Sequence, residues 1–306
     1  MYKYTAAVAF ALLTAPAFAS VDTEYDQSWR FNNRVIDSAN STKVVNGDNH
    51  GNHIAWTGDD GVSINVTAWS ETAGSTSICT SDPAAPECNT SGTSPANGST
   101  EKDPYIRNAK LKYYGNSLGI ENQDGEGGAP QHSIDNIPNY SGAGYNDYDA
   151  VLVQFSRAVA LDKIKLGWAT HVGTNNNTRK ADVSVIAYNG AASSVSSFFS
   201  ASSTWGTFLS NGWQKIGDYQ DAQGMYSLKG NAQTDSMIES RFWLISAYNP
   251  IFGGSLSNAN DGFKLAGLET SFIVSTPTAE VSEPGTLAIL SLGFAAIAYT
   301  RRRRKQ

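Results

Sequence analysis

The stretch GIENQDGEGGAPQHSIDN, residues 119–136, carries the densest set of chemically capable side chains in the chain. Asp124, Glu126 and Asp135 are hard oxygen donors, and Gly125, Gly127 and Gly128 let backbone carbonyls turn inward. Ca²⁺ takes six to eight such oxygens from loops of this kind. The spacing lacks the bidentate Glu that closes an EF-hand loop. The same composition also makes a Gly-rich turn whose Asp and Asn side chains cap their own backbone. His132 lies three residues before Asp135. In DNHGNH, His50 and His53 stand three apart beside Asp48, Asp59 and Asp60, a spacing that suits Zn²⁺ or Cu²⁺. A catalytic zinc needs a third protein ligand, and His171 would reach this pair only through the tertiary fold. No nucleophile elbow, phosphate loop or zinc-protease helix motif is present. Glycosidases need two facing carboxylates, and no pair stands out from the sequence. The expectation is a non-enzymatic chain with no cofactor, structural Ca²⁺ being the ion its loop chemistry suits.

Aromatic residues are a second resource, with seven Trp and fourteen Tyr. Indole and phenol faces on a β-sheet are platforms for sugar rings. Trp168 and Trp243 sit within apolar runs and are expected in the core. Trp29, Trp56, Trp69, Trp205 and Trp213 flank strands or loops; core packing claims some of the aromatic residues, and one or two of these five are candidate sugar contacts. Charge argues against nucleic acid as a partner. The chain has a net charge of −6; without Lys3 and the five cations of residues 301–305 it holds 16 basic and 28 acidic residues, a net of −12. Such a body repels phosphates.

The two ends read as addresses. MYKYTAAVAFALLTAPAFAS has an early lysine, a short apolar stretch and the small-x-small triplet Ala17-Phe18-Ala19. Residues 1–19 are therefore expected to be a signal peptide for the Sec translocon, cut between Ala19 and Ser20. Export places Cys79 and Cys88 in an oxidising compartment, where their close spacing favours a disulfide. A metal pair would find no further Cys or His nearby. At the other end, an apolar run over 286–300 precedes Arg301, Arg302, Arg303, Arg304 and Lys305. As a helix of about 15 residues it spans roughly 22 Å, short of a hydrocarbon core of about 30 Å. Snorkelling arginines and Tyr299 make up part of the difference. The cations hold this end in the cytoplasm and leave the body outside.

Ahead of that run stands Val281-Ser282-Glu283-Pro284, where proline keeps the chain extended. An acidic-proline motif, a short apolar helix and an arginine cluster, in that order, resemble the PEP-CTERM sorting signal of Gram-negative bacteria. The family pattern reads Val-Pro-Glu-Pro; here serine replaces the first proline and the Glu-Pro core is intact. The resemblance implies recognition by an exosortase, transient residence in the inner membrane, and transfer to the cell surface or exopolysaccharide matrix.

These signals bracket a body that reads as β. GVSINVTAWS alternates Val62, Ile64, Val66 and Ala68 on one face. AVLVQFS is a continuous apolar run expected to be a central strand. VALDKIKLGW continues it with a bulge expected at Asp162-Lys163. DVSVIAY, GWQKIGDY, RFWLISAY and FKLAGLETSFIV add further strands, separated by YNG, SNG and NDG turns. Helical period is confined to the terminal signals. Residues 70–104 hold almost no large apolar side chain and are expected to be a surface loop stapled by the disulfide. The expected organisation is N-terminal strands at 20–69, that loop, a main domain at 105–274, a polar stalk at 275–283 and the sorting tail at 281–306.

YYGNSLGIENQDGEGGAPQHSIDN, YDAVLVQFSRAVALDKIKLGW, WLISAYNP and NDGFKLAGL, in this order over about 113–268, resemble a group of exosortase-dependent surface proteins. That resemblance implies a secreted β domain of no established activity. The fold class expected is all-β, an antiparallel sandwich or jelly roll. The function expected is a non-enzymatic surface or matrix protein associated with exopolysaccharide or biofilm. The alternatives are a lectin-like module with structural calcium and a polysaccharide-degrading enzyme.

Overall fold

A computed structural model describes residues 20–32, 36–38, 50–71, 106–121, 132–137, 148–171, 179–200, 203–228, 238–257, 260–277, 293–294 and 301–302. Fourteen strands are described: β1 (Ser20–Arg30), β2 (Ile36–Ser38), β3 (Asn52–Thr57), β4 (Ser63–Glu71), β5 (Ile106–Asn108), β6 (Lys110–Tyr114), β7 (Ser117–Glu121), β8 (Ile134–Asp135), β9 (Asp149–His171), β10 (Ala181–Tyr188), β11 (Trp213–Ala222), β12 (Met225–Ser227), β13 (Glu239–Ala247) and β14 (Asp261–Pro277). All are linked by hydrogen bonds into one sheet, whose main path runs β11-β10-β13-β9-β14-β7-β6. The pairings are antiparallel.

The organising element is β9, 23 residues long. Its first half pairs with β4 on one edge and β13 on the other. Its second half pairs instead with β14 and β12. The exchange of partners falls where the β13 register breaks between Ser240 and Phe242. Against β14, consecutive residues Glu269 and Thr270 face Lys163 and Leu161, so Asp162 is the extra residue of a bulge. This is the bulge that the aspartate-lysine interruption predicts, and a bulge bends its strand. AVLVQFS is indeed central, and the pairing of β4 with β9 joins the N-terminal strands to the same sheet as the later ones. Ser70 and Glu71, assigned to the polar loop from sequence, complete β4 and are buried. The rest of the loop, with Cys79 and Cys88, lies outside the described residues.

The alternating pattern of DVSVIAY predicts one buried face, yet all eight residues of β10 are buried. The difference is tertiary. Short 3₁₀ helices at Ala192–Phe199, Trp205–Thr207, Leu209–Asn211 and Pro250–Phe252 cover one face of the sheet. They bring Val195, Phe198, Trp205, Phe208 and Phe252 onto Leu152, Ile186, Tyr188 and Leu244. On the other face Trp29 lies 5.5 Å from Phe155 and donates its indole N–H to Thr270 Oγ1 at 2.8 Å. Phe208 is the hub of the helical layer, with ring centres of Trp213, Trp205, Phe198 and Phe199 at 5.0, 5.2, 5.4 and 5.5 Å. These separations and tilts are the favoured ones for aromatic pairs.

The chain divides into two compact units, Asp26–Phe272 and a second formed by Met1–Tyr25 with Ile273–Gln306. In the second, Ser275 Oγ donates to Asp22 Oδ1 at 2.6 Å. Residues 275–277, expected as stalk, continue β14.

Truncating the aromatic hub tests this architecture. Phe208→Ala leaves a cavity against five other rings and is expected to cost about 3–5 kcal/mol in urea unfolding of the full chain. A loss under about 1 kcal/mol would mean that the 3₁₀ layer does not pack on the sheet as described.

Candidate functional site

Three strand ends converge on a buried polar cluster: β8, the C-terminus of β9 and the N-terminus of β14. Gly262 pairs with Asp135 and Asp261 pairs with His171. Asn136, fully buried, ties them together with its amide. Its Oδ1 accepts from the backbone N–H of Asn260 at 2.9 Å and of Asp261 at 2.8 Å, and its Nδ2 donates to the Tyr248 carbonyl at 2.8 Å. One side chain thus satisfies three buried backbone groups that the ladder leaves open.

The imidazole of His171 sits between two partners. Asn260 Nδ2 is a donor only and lies 2.6 Å from Nε2, so Nε2 accepts. The ring proton is then on Nδ1, which donates to Asp261 Oδ1 at 3.1 Å. The same oxygen accepts the Asp182 N–H at 2.8 Å, while Asp182 Oδ1 accepts the Asp221 N–H at 2.8 Å. A histidine oriented by a carboxylate has the outline of a general base. Here the nitrogen that would take a proton is already engaged by an amide. The arrangement serves as a polar brace for the strand ends.

Burial pushes the Asp261 carboxyl up to about 6, with the neighbouring Asp182 charge adding to the effect and the Asp182 N–H and His171 opposing it. Burial likewise raises Asp182. Asp135 is enclosed completely and burial pushes it up to about 7, against hydrogen bonds from Ser133 Oγ to Oδ2 at 2.8 Å and from Ile137 N–H to Oδ1 at 3.1 Å.

Asp135 therefore belongs to a structural turn with both oxygens bonded to the protein. Its expected calcium companions, Asp124 and Glu126, lie outside the described residues. Among the described residues no group of three or more His, Cys, Asp and Glu is placed to hold a metal ion. His50 lies in a turn, His53 on β3 opposite Thr67, and His171 beside Asp261, and among the described residues none of them belongs to a group of three that could hold a metal. Asp261, Asp182, Asn136 and Asn260 were not singled out from sequence; the NDG run containing two of them reads only as a turn.

The tryptophans redistribute. Trp29, Trp205 and Trp213, three of the five candidates for one or two sugar contacts, are buried, and Trp56 and Trp69 are half-buried. Trp243 is buried as expected. Trp168, expected in the core, is 37% exposed. The reason is local: Gly167 is skipped in the pairing of β9 with β14, which shifts the alternation by one residue and turns Trp168 outward. A shallow cleft of about 250 Å³ lies elsewhere, lined by Tyr188, Gly190, Glu239, Arg241 and Phe242 among others. It holds one carboxylate and so lacks the pair a glycosidase needs.

Toward the C-terminus, Gly293 and Phe294 are helical, as are Arg301 and Arg302, and all four are exposed. Val281, Ser282, Glu283, Pro284, Arg303, Arg304 and Lys305 lie outside the described residues, as does Ala19; Ser20 opens β1. Among the described residues no helix is long and apolar enough to cross a membrane. Residues 280–304 match the PEP-CTERM protein-sorting motif. The motif marks the chain as an exported protein with an exosortase as its sorting partner and a membrane-anchored sorting intermediate. It covers the tail alone, and among curated proteins none matches the chain.

The buried carboxylates set a pH dependence. A carboxyl whose folded pKa exceeds its unfolded one, near 3.9, contributes stability below that lower value, and loses it as pH rises through the folded value. For Asp261 and Asp135 the window runs from about pH 4 to pH 7. Each carboxyl contributes a slope of up to about 1.4 kcal/mol per pH unit there. Thermal or urea unfolding from pH 5 to 8 is expected to show stability falling as pH rises, and Asp135→Asn to flatten the fall. An unchanged slope in the variant would show that Asp135 ionises freely in the folded state.

Proposed function

We propose that this chain is a non-enzymatic surface or matrix protein, cut near Glu283-Pro284 and released from the membrane into an exopolysaccharide-rich layer. The observation that carries this reading is the sorting motif at 280–304, placed directly after a β domain. In this reading residues 286–300 form the transient membrane helix and the cations at 301–305 hold its cytoplasmic end. Glu283-Pro284 presents an extended segment to the protease, because proline prevents the helix from continuing upstream. The β domain is a two-layer sandwich, the bend of β9 carrying strands from one layer to the other. Its part is mechanical and adhesive: a heavily paired antiparallel sheet resists unfolding outside the cell. The engaged His171 and the lone carboxylate of the cleft favour this reading over hydrolysis.

Intact mass and cell fractionation from the native host test it. The wild-type chain is expected at the surface, lacking a C-terminal fragment of more than 2 kDa, and Glu283→Ala is expected at full length in the inner membrane. A wild-type chain that keeps its tail in the inner membrane would leave the protein an ordinary single-span membrane protein with an exported β domain.

A further inference from the structure

An aromatic and cationic row crosses the outer face of the sheet, away from the buried cluster. Trp168 on β9 stands directly opposite Lys264 on β14, and the ammonium lies 5.2 Å from the indole centre. The same ammonium lies 4.3 Å from the ring centre of Tyr114 on β6. Tyr114 stacks on His132, ring centres 4.8 Å apart and planes within 6°. Both spacings from the ammonium are within the range of cation–π attraction.

Two glycines make the row possible. Gly119 on the intervening β7 would, with a Cβ, meet the His132 carbonyl oxygen at 1.9 Å and the Tyr114 ring at 3.0 Å. Only a bare Cα leaves room for His132, which adopts a left-handed φ of 64° there. A Cβ on Gly167 would meet Ser117 Oγ at 1.8 Å, so the bulge that exposes Trp168 also depends on glycine.

The electrostatics of this face oppose those of the chain. The charged groups that act on His132 are Glu121, Lys112, Lys264 and Lys110, three cations to one anion. Glu121 is held by Lys112 at 2.6 Å and Lys110 at 3.4 Å, which outweigh its burial and keep its carboxyl below the ordinary range. Among the described residues, cations thus outnumber anions around His132, on a chain of net charge −6.

We infer that this row is a binding face for an acidic polysaccharide, a chain of uronic-acid sugars. The inference rests on the matrix reading and names its polymer class. Sugar rings present C–H faces that stack on indole and phenol. Lysine is a compact point charge suited to an isolated carboxylate. The row runs from β9 through β14 to the Tyr114 ring of β6, with the one Lys264 ammonium within cation–π range of both ring centres, a compact face that suits a short stretch of a sugar chain. A nucleic acid would offer faces to the same rings, but its denser phosphate charge is disfavoured by the acidic body.

Titration calorimetry of the full-length chain in detergent tests this with hexamers of galacturonate and mannuronate, neutral cellohexaose, and a single-stranded 12-nucleotide DNA. At least one uronate hexamer is expected to bind at least ten-fold more tightly than cellohexaose or DNA. Trp168→Ala and Lys264→Gln are each expected to weaken that binding at least ten-fold; Trp168 is exposed and Lys264 half-buried, so the melting temperature of each variant is measured first. A variant that shifts the melting temperature by more than a few degrees is replaced in the comparison by the other. Failure of every uronate to bind, equal binding by the variants, or tighter binding of cellohexaose or DNA would overturn the inference. Processing of the wild-type chain in the host separates the two ideas: correct sorting with no uronate binding defeats only the face, and missorting with intact binding defeats only the matrix reading.

Discussion

A strand that pairs on both edges along both halves constrains every element around it. The backbone of β9 cannot leave its N–H and carbonyl groups open in a dry interior, so each half recruits two neighbours. β4 and β13 serve the first half, β14 and β12 the second. The bulge at Asp162 and the register break near Ser240 accommodate the bend between them. Four elements distant in sequence are thereby fixed in one register, and the positions of the 3₁₀ layer, the buried cluster and the outer aromatic row all follow.

The polar interior supports that frame. Asn52 and Asn136 act as substitute backbone. Asn52 Oδ1 accepts the Leu111 N–H at 2.7 Å and its Nδ2 donates to the Leu111 carbonyl at 2.9 Å, joining β3 to β6. Asn136 does the same among β8, β14 and the segment after β13. The carboxylates near Asn136 are raised by burial because the cluster contains few compensating cations, which keeps them poised between charged and neutral forms. Beyond the cytoplasm, where acidity is less regulated, that poise is expected to favour the folded domain in mild acid.

The match to the sorting motif rests on an acidic-proline pair, a short apolar run and a cationic end, all local properties of the sequence. What the domain adds is the surface delivered. Among the described residues, cations outnumber anions around His132 on its outer face, although the chain as a whole is acidic.

Local patterns were legible before any coordinates. Alternation in GVSINVTAWS, the apolar run AVLVQFS and the aspartate-lysine bulge all appear as read, because each depends on neighbours a few residues apart. The sorting tail was equally legible, since its recognition elements are contiguous. The tryptophans were not. Trp205 and Trp213 sit beside turns yet are buried because the 3₁₀ helices fold back over the sheet, and Trp168 lies in an apolar run yet faces outward because Gly167 shifts the pleat. Nor could the sequence place His171 with Asp261 and Asn260, some 90 residues away, or carry Lys264 between Trp168 and Tyr114. The sequence by itself determined the alternation of its strands and the address, which are written in short-range period and order, whereas the NDG run read as a turn supplies the first residues of β14. Only the tertiary structure decided which aromatic faces meet water and which carboxylates are buried, because exposure depends on what a distant segment brings to cover them.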